Sequence, residues 1–335
     1  MSVPLPPDQI FAVLRAPSWQ IDTRFAGKDL ISIEQLRASS VRRILAVADH
    51  LENLPPAYQK PILTDINIAV LFYQPSTRTY FSFMRAGQLL GANVIGIHGM
   101  DNFSSAYKGE TLIDTVRTIE ALATDIIVLR HFDDDSALIA ANATSVPIIN
   151  AGSGKLEHPT QALLDLRTIL VETGQPSVEG LTVLFVGDLK NGRTVHSLSK
   201  LLALMGCRRF IFDSPPQLKM PRNLVDQLAL QDVVIEETNN LPLAVQYADV
   251  IYDTRVQKEW FRSDADYQQA KDSQQITPAI MSEAKSTAVL MHPLPRVDEI
   301  SPDVDADPRA AYFRQVNHGL AIRKALLALI SGRMS

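Results

Sequence analysis

Short apolar runs rich in β-branched residues alternate with longer helical patterns along most of the chain. This alternation is typical of parallel sheets in which a crossover helix joins each strand to the next. The predicted strands are 68–74, 93–99, 125–131, 146–152, 181–188, 209–215, 232–237, 249–255 and 287–295. The sequence therefore predicts an α/β fold with two doubly wound, mostly parallel sheets joined by bridging helices.

The length of 335 residues favours two domains, because single hydrophobic cores stop growing at about 250–300 residues. We place the boundary at 157/158, so that the domains are 1–157 and 158–311. The helical stretch His158 to Gly174 is expected to bridge them. A last periodic segment, 312–333, is predicted to be an amphipathic helix, and its pattern allows packing on either domain; we expect it to pack back on the first.

Composition and local patterns exclude several classes of protein. A net charge of −5 without a Lys/Arg stripe argues against nucleic-acid binding. The N-terminal residues lack the pattern of a signal peptide, and no apolar stretch approaches a bilayer span, so we expect a cytoplasmic protein with no membrane partner. The single cysteine, Cys207, excludes an intrachain disulfide framework and is expected to be a small buried apolar residue. The seven histidines show no short metal-ligand spacing, so no metal is predicted.

Polar clusters directly follow six of the predicted strands. In chain order they read PSTRT, RHFDDD, NAGSGKLEHPTQ, GDLKNGRT, TRVQ and HPLPR. The carboxyl ends of strands are where an open parallel sheet forms its ligand crevice. We therefore expect the clusters to line ligand sites, and two facing crevices would make one cleft.

The PSTRT cluster has the composition of a phosphate site. Ser76 is predicted to cap a helix whose first N–H groups would lie beside two threonine hydroxyls and the Arg78 guanidinium. An ordinary capped helix with the Arg78 side chain in solvent is equally consistent with this sequence.

The GDLKNGRT segment lacks the glycine pattern GxGxxG of dinucleotide-binding sites, so NAD is not a predicted cofactor.

The clusters of the third and fourth strands carry further candidates for anion and carbonyl binding. Arg130 and His131 end an apolar strand, where a charge is costly unless it meets an anion or a carboxylate. For His131 alone, an ion pair with one of the aspartates at 133–135 is the simpler interpretation. His158 and Gln161 at a helix start could polarise a carbonyl and bind an NH2 group, although a lone histidine is more often structural.

The second half of the chain offers arginines suited to carboxylates. Arg193 opens a helix near Lys190, Arg255 and Gln257 lie in TRVQ, and Arg296 ends HPLPR. The planar guanidinium binds a carboxylate through two parallel hydrogen bonds. Any one of these arginines taken alone is more often a surface ion pair.

Together the segments resemble the aspartate carbamoyltransferase catalytic chain family. The resemblance covers nearly the whole chain and rests on PSTRT, SSAYKGETLIDT, VLRHF, NAGSGKLEHPTQALLDL, VGDLKNGRTVHSL, TRVQKE, MHPLPRVDEI and DVDADPRAAYFRQ. It implies a carbamoyl phosphate-binding domain (1–157) and an aspartate-binding domain (158–311) in a homotrimer whose subunits share sites. The implied reaction is carbamoyl transfer to L-aspartate, an early step of pyrimidine biosynthesis.

The resemblance also assigns residues. Thr79, Arg130 and His158 would polarise the carbamoyl oxygen. Gln161 would accept hydrogen bonds from the carbamoyl NH2 group. Catalytic residues would be Arg78, Thr79, Lys108, Arg130 and His158. Carbamoyl phosphate would bind Ser76, Thr77, Arg78, Thr79, Ser104, Lys108, Arg130, His158 and Gln161, with Ser104 and Lys108 supplied by a neighbouring chain. Aspartate would bind Lys108, Arg193, Arg255, Gln257, Leu294, Pro295 and Arg296.

The chemistry of the substrates agrees with that assignment. Carbamoyl phosphate and aspartate together bring about four negative charges, if the phosphate counts as about two. Six cationic residues are available to meet them, and the reaction needs neither metal nor organic cofactor. The departing phosphate could accept the proton of the amine, so no side chain is assigned as general base. The cationic residues are Arg78, Lys108, Arg130, Arg193, Arg255 and Arg296.

Several positions depart from the family pattern, and they leave alternatives open. Departures that bear on domain closure or on the second substrate are Gln74, Tyr80, Ser153, Asn191 and Trp260. One alternative is a carbamoyltransferase for another amino acid, such as ornithine. Another is a catalytically weak paralogue that acts as an assembly or regulatory subunit. A regulatory chain or dihydroorotase is left open as a further partner.

Overall fold

The computed structural model describes residues 5–256, 261, 263, 267–268, 271 and 273–334. Contacts divide the chain into two compact units. Unit 1 comprises Met1–Leu164 and Val316–Ser335, and unit 2 comprises Asp165–Gln315. Each helix in the described part of the chain is too short or too polar to span a bilayer.

Unit 1 contains a four-stranded parallel sheet. Its strands are β1 (Asn67–Phe72), β2 (Asn93–His98), β3 (Ile126–His131) and β4 (Ile148–Ser153). Their order in the sheet is β2-β1-β3-β4, so the chain changes direction across the sheet between β1 and β3. Such a switch point opens a crevice at the carboxyl ends of the two central strands.

Unit 2 contains a five-stranded parallel sheet. Its strands are β5 (Thr182–Val186), β6 (Arg209–Asp213), β7 (Val234–Thr238), β8 (Val250–Asp253) and β9 (Val289–Met291). The order β7-β6-β5-β8-β9 places the switch point between β5 and β8. The predicted α/β class with doubly wound parallel sheets is confirmed.

Helices connect these strands and cover their faces. They are α1 (Pro7–Leu14), α2 (Ala38–Asn53), α3 (Pro56–Gln59), α4 (Thr77–Leu89), α5 (Met100–Phe103), α6 (Leu112–Ala121), α7 (Ser136–Ala143), α8 (Pro159–Thr173), α9 (Arg193–Leu204), α10 (Arg222–Ala229), α11 (Leu241–Tyr247), α12 (Pro278–Glu283) and α13 (Arg314–Ile330). The division between the units falls inside α8 and again inside α13.

Each predicted strand overlaps an observed one, and the differences lie at the ends. The fourth strand starts at Ile148 because Pro147 has no N–H to give to a sheet. The ninth is much shorter than predicted and ends at Met291, two residues before Pro293. Proline therefore accounts for the start of the fourth strand and the early end of the ninth.

The last helix differs from its predicted amphipathic character. Residues 321–330 are all buried, including Arg323 and Lys324. The Lys324 ammonium donates to Gln59 Oε1 at 2.8 Å, and the Arg323 guanidinium donates to Ser82 Oγ at 2.8 Å. In a sequence pattern, charged residues indicate a solvent-exposed face of a helix. Here both charged side chains are buried with polar partners, so the predicted amphipathic pattern is wrong for this part of the helix.

Cys207 is buried, as predicted. Burial raises the pKa of its thiol to about 11, which keeps it protonated at neutral pH. The cysteine therefore acts as a small apolar residue.

Candidate active site

The PSTRT segment lies at the carboxyl end of β1, the central strand at the switch point of unit 1. Helix α4 begins at Thr77, so Ser76 holds the predicted N-cap position, but its side chain makes no capping hydrogen bond. The backbone N–H of Ser76 instead donates to His98 Nε2 at 2.9 Å. The prediction is right for the position of the cap and wrong for the hydrogen bond from its side chain.

Arg78 lies in the first turn of α4 and is half-buried. It makes no hydrogen bond or ion pair with any residue that the structure describes. Burial lowers the pKa of its guanidinium, and no carboxylate opposes that shift. A partly desolvated cation without a counter-ion at a strand-end crevice is suited to receive an anion.

His98 is a residue that sequence reasoning missed. It pairs with Phe72 in the register of β1 and β2, and its ring packs against Phe72 and Tyr80 with centroid distances of 6.4 and 5.3 Å. Because Nε2 accepts from Ser76, the neutral ring carries its proton on Nδ1. His98 therefore holds the start of the PSTRT segment. Its position at the end of the strand next to β1 was the available signal.

Tyr80, one of the departures from the family pattern, packs over β2. A Cβ atom added to Gly96 would lie 2.6 Å from the Tyr80 hydroxyl oxygen and 2.9 Å from Met84 Sδ. The glycine therefore makes room for the larger side chains of α4. Burial raises the pKa of the Tyr80 hydroxyl.

Arg130 ends β3, opposite Phe72 of β1 in the sheet register. It is buried and donates from Nη1 to the Ala151 carbonyl at 3.0 Å. Its own carbonyl accepts from the Tyr73 N–H at 2.9 Å, which joins the ends of the two central strands. The sheet therefore brings Arg130 to the same switch point as PSTRT.

His131 has the predicted aspartate neighbour. Its Nδ1 accepts from the Asp133 N–H at 3.1 Å and lies 3.6 Å from Asp133 Oδ2. Burial lowers the pKa of the ring, although Asp133 acts in the opposite direction. The predicted contact between His131 and an aspartate is therefore present, and burial favours the neutral form of the imidazole ring.

His158 and Gln161 are buried at the start of α8. The turn that leads from β4 to this helix is closed by an antiparallel bridge between Ser153 and Glu157. The hydroxyl of Ser153, another departure from the family pattern, accepts from Asn150 Nδ2 at 3.0 Å. The fourth strand therefore delivers His158 to the carboxyl edge of the same sheet.

Ser104 and Lys108 lie in the segment after β2. Ser104 donates to the Met100 carbonyl at 2.5 Å and accepts from the Ala106 N–H at 3.1 Å. Lys108 is exposed and makes no hydrogen bond or ion pair within the described part of the chain. Two aromatic side chains beside it, Phe103 and Tyr107, are 84% and 72% exposed. Among the described residues no hydrogen bond or ion pair joins Lys108 to the strand-end residues of unit 1.

In unit 2 the predicted arginines lie at the switch point between β5 and β8. Arg193 is the first residue of α9, after β5, and Arg255 follows β8. Gly187, between β5 and α9, has a φ of +100°, and a Cβ there would lie 2.0 Å from the Thr254 carbonyl oxygen. Only glycine allows these two strand ends to approach so closely.

The HPLPR segment follows β9, and its arginine has a protein partner. Arg296 forms an ion pair with Asp305, and its Nη1 donates to the Tyr312 hydroxyl at 3.0 Å. The guanidinium lies over the Tyr312 and Phe313 rings, with centroid distances of 5.1 and 5.5 Å. The predicted ligands Leu294 and Pro295 precede it in this segment, whereas Gln257 and Trp260 lie outside the described residues.

Comparison with known proteins agrees with this arrangement. The family model described as aspartate/ornithine carbamoyltransferase, carbamoyl-P binding domain, matches residues 28–171. The model described as the Asp/Orn binding domain of the same family matches 179–330. The chain belongs to the aspartate/ornithine carbamoyltransferase family. The resemblance seen in the sequence is thereby confirmed.

Relatives of this carbamoyltransferase match over nearly its full length. An aspartate carbamoyltransferase from Arabidopsis thaliana, named as chloroplastic, is 44% identical over 95% of this chain and 82% of its own. A catalytic subunit from Thermococcus gammatolerans is 44% identical over 91% of this chain and 98% of its own. A Trypanosoma cruzi aspartate transcarbamoylase, solved with N-(phosphonacetyl)-L-aspartic acid, has a TM-score of 0.85 and 39% identity, and covers 93% of this chain and 98% of its own.

Proposed function

We propose that this enzyme transfers the carbamoyl group of carbamoyl phosphate to the amine of L-aspartate. The products are N-carbamoyl-L-aspartate and phosphate, in an early step of pyrimidine biosynthesis. The observation that carries the proposal is the half-buried Arg78, which has no described counter-ion, at the switch point of the first sheet. The relatives with the corresponding name support the choice of acceptor.

The chemical step balances without an added reagent. The amine nitrogen attacks the carbamoyl carbon, and the bond from that carbon to the phosphate oxygen then breaks. The departing phosphate takes the proton that the amine releases. The enzyme's contribution is to hold two anions in reacting geometry and to stabilise the charge that moves from the carbonyl to phosphate.

The residues of unit 1 are proposed to bind carbamoyl phosphate. Ser76, Thr77, Arg78 and Thr79 would bind the phosphate together with Arg130. Thr79, Arg130 and His158 would polarise the carbamoyl oxygen, and Gln161 would accept hydrogen bonds from the NH2 group. Support comes from the sheet, since β1, β3 and β4 end at one edge and are followed by these side chains.

The residues of unit 2 are proposed to bind aspartate. Arg193 and Arg255 follow the two strands at the switch point, where a carboxylate would meet both guanidinium groups. Gln257, Leu294 and Pro295 complete the proposed set. For Arg296 we propose a contribution through the loop it belongs to, because its guanidinium already binds Asp305.

We propose a homotrimer in which Ser104 and Lys108 complete the site of a neighbouring chain. Support comes from the exposure of Lys108 and of the flanking Phe103 and Tyr107, because exposed aromatic side chains are enriched at protein interfaces. Mixing inactive Arg78→Ala and Lys108→Ala chains should restore activity if sites are shared. Verified mixed trimers without activity would contradict sharing.

A cytoplasmic location and association with a regulatory chain or dihydroorotase stay predictions. The Arabidopsis relative is named chloroplastic, so the family is not limited to one compartment. Fractionation of the source cells and mass determination of the native complex would decide both.

The function is tested by the rate of phosphate release from carbamoyl phosphate with a panel of amines. We expect turnover with L-aspartate and less than one-hundredth of that kcat/KM with ornithine or asparagine. Preference for another amine would overturn the acceptor assignment. Turnover with none of them would favour the assembly or regulatory role.

A further inference from the structure

The loop that follows β9 is closed by a buried pair of side chains. His292 stands at its start and Glu299 near its end, and both are almost completely buried. His292 Nε2 lies 2.8 Å from Glu299 Oε1. Between them lie Leu294, Pro295 and Arg296, the segment assigned above to the second substrate.

The histidine has one defined tautomer. Its Nδ1 accepts the Leu294 N–H at 2.8 Å, so that nitrogen carries no proton. In the neutral ring the proton is therefore on Nε2, which faces the glutamate. The other oxygen of Glu299, Oε2, accepts the N–H groups of Val297 and Asp298 at 3.0 and 3.1 Å. One carboxylate thus connects the ring to the far side of the loop.

These contacts hold a backbone conformation that leucine seldom adopts. Leu294 has a φ of +54°, in the left-handed region that favours glycine. A residue in such a conformation persists only where its surroundings impose it. The hydrogen bond from its N–H to His292 Nδ1 is a contact that supports this conformation.

A second set of contacts ties the loop to the sheet. The His292 N–H donates to Gln315 Oε1 at 3.1 Å, and Gln315 Nε2 donates to Asp165 Oδ1 at 2.6 Å. Asp165 Oδ2 accepts from the Tyr252 hydroxyl at 2.7 Å. Tyr252 belongs to β8, the strand that leads to Arg255. Hydrogen bonds therefore connect the loop to the strand that leads to Arg255.

We propose that His292 and Glu299 are positioning residues for aspartate: they do not touch it, but they set the geometry of the 294–296 segment that does. This inference rests on the proposed function, since it takes aspartate as the second substrate.

The test replaces Glu299 by glutamine. Glutamine has the same shape but offers only one oxygen, and that oxygen cannot meet both His292 Nε2–H and the N–H groups of Val297 and Asp298. Two donors must then face each other. We expect the KM for aspartate to rise about tenfold or more, with the KM for carbamoyl phosphate within twofold of the wild-type value. Glu283→Gln, at an exposed glutamate of α12, is the matched control and should change neither.

A second variant covers the case in which Glu299→Gln fails to fold. In His292→Asn the amide oxygen can still accept the Leu294 N–H, while the donor to Glu299 is lost. It should raise the KM for aspartate as Glu299→Gln does, and the double variant should add little, because both changes break one pair.

The outcomes separate the two proposals. No aspartate carbamoylation by the wild-type enzyme would remove the proposed function. An active wild type with folded variants whose KM for aspartate is unchanged would overturn the positioning role alone. Loss of kcat with both KM values unchanged would indicate a purely structural pair, and would also overturn it.

Discussion

Replacing Asp253 by asparagine should stabilise the protein by an amount that grows with pH. Asp253 ends β8 and is fully buried, and neither carboxyl oxygen has a hydrogen-bond partner among the residues described. Burial raises the pKa of this carboxyl well above its usual value, and the charge of nearby Glu299 adds to the shift. The folded chain therefore keeps a proton that the unfolded chain releases.

The pH dependence of this stabilisation follows from the difference in proton binding between the folded and unfolded chains. Below a pH of about 4 the aspartic acid is neutral in both states, so its ionisation does not affect stability. Above that, the unfolded chain ionises first, so the free energy of unfolding falls by about 1.4 kcal/mol per pH unit until the folded pKa is reached. Asparagine does not ionise. The stability difference between Asp253→Asn and the wild type should therefore grow by about 1.4 kcal/mol per unit within this window.

Thermal unfolding at a series of pH values measures this slope. For a domain of this size, about 1.4 kcal/mol corresponds to about 3 to 6 °C in Tm. The gap in Tm should widen by that amount for each pH unit between the unfolded pKa of about 4 and the raised folded pKa. All measurements are made at constant ionic strength. Asp303→Asn, at an exposed aspartate of the same unit, is the control for the loss of a carboxyl group. A gap that stays constant or narrows with rising pH would mean that Asp253 is ionised in the folded protein, and would refute the reasoning.

Three further predictions concern unit 1 and the close strand ends of unit 2. Arg78→Ala should lower kcat at least about a thousandfold with an unchanged circular dichroism spectrum. Arg85→Ala, at an exposed arginine of α4, is the control and should keep activity. An almost unchanged rate in Arg78→Ala would remove Arg78 from the site. Gly187→Ala should destabilise the fold by more than about 3 kcal/mol in urea titrations, because its Cβ would overlap the Thr254 carbonyl; a change under about 1 kcal/mol would contradict the close approach. Burial raises the pKa of Asp29 to about 6, so Asp29→Asn should stabilise the protein by up to about 3 kcal/mol above pH 6 and by little near pH 4, and equal effects at both would show that the pKa is not raised.

Seven of the nine strands were predictable because burial on both faces leaves a local pattern of apolar, β-branched residues, whereas the edge strands β2 and β7 are largely exposed. The clusters PSTRT, GDLKNGRT and TRVQ were visible for the same reason, since each lies within a few consecutive residues. The family was predictable because these clusters occur in one order. Each of these signals is read from neighbours in the chain.

Other features were hidden because they join distant parts of the chain. His98 binds the backbone of Ser76 from the adjacent strand, which no local pattern indicates. Arg296 lies in a motif typical of a ligand-binding arginine, but its guanidinium already forms an ion pair with Asp305 and lies over two aromatic rings. In the last helix, Arg323 and Lys324 suggested a solvent face because their buried partners lie far back in the sequence.

By itself, the sequence determined the α/β class, the strands and the composition of the polar segments, since backbone geometry and apolar burial act over a few residues. Only the tertiary structure decided the order of the strands, and with it which polar segments share a switch point. It alone brought Asp253 near enough to Glu299 for their charges to interact, and it alone closed the loop from His292 to Glu299. These are properties of groups that folding brings together in a space without water, where a charge or a hydrogen bond is strong and a missing partner is costly.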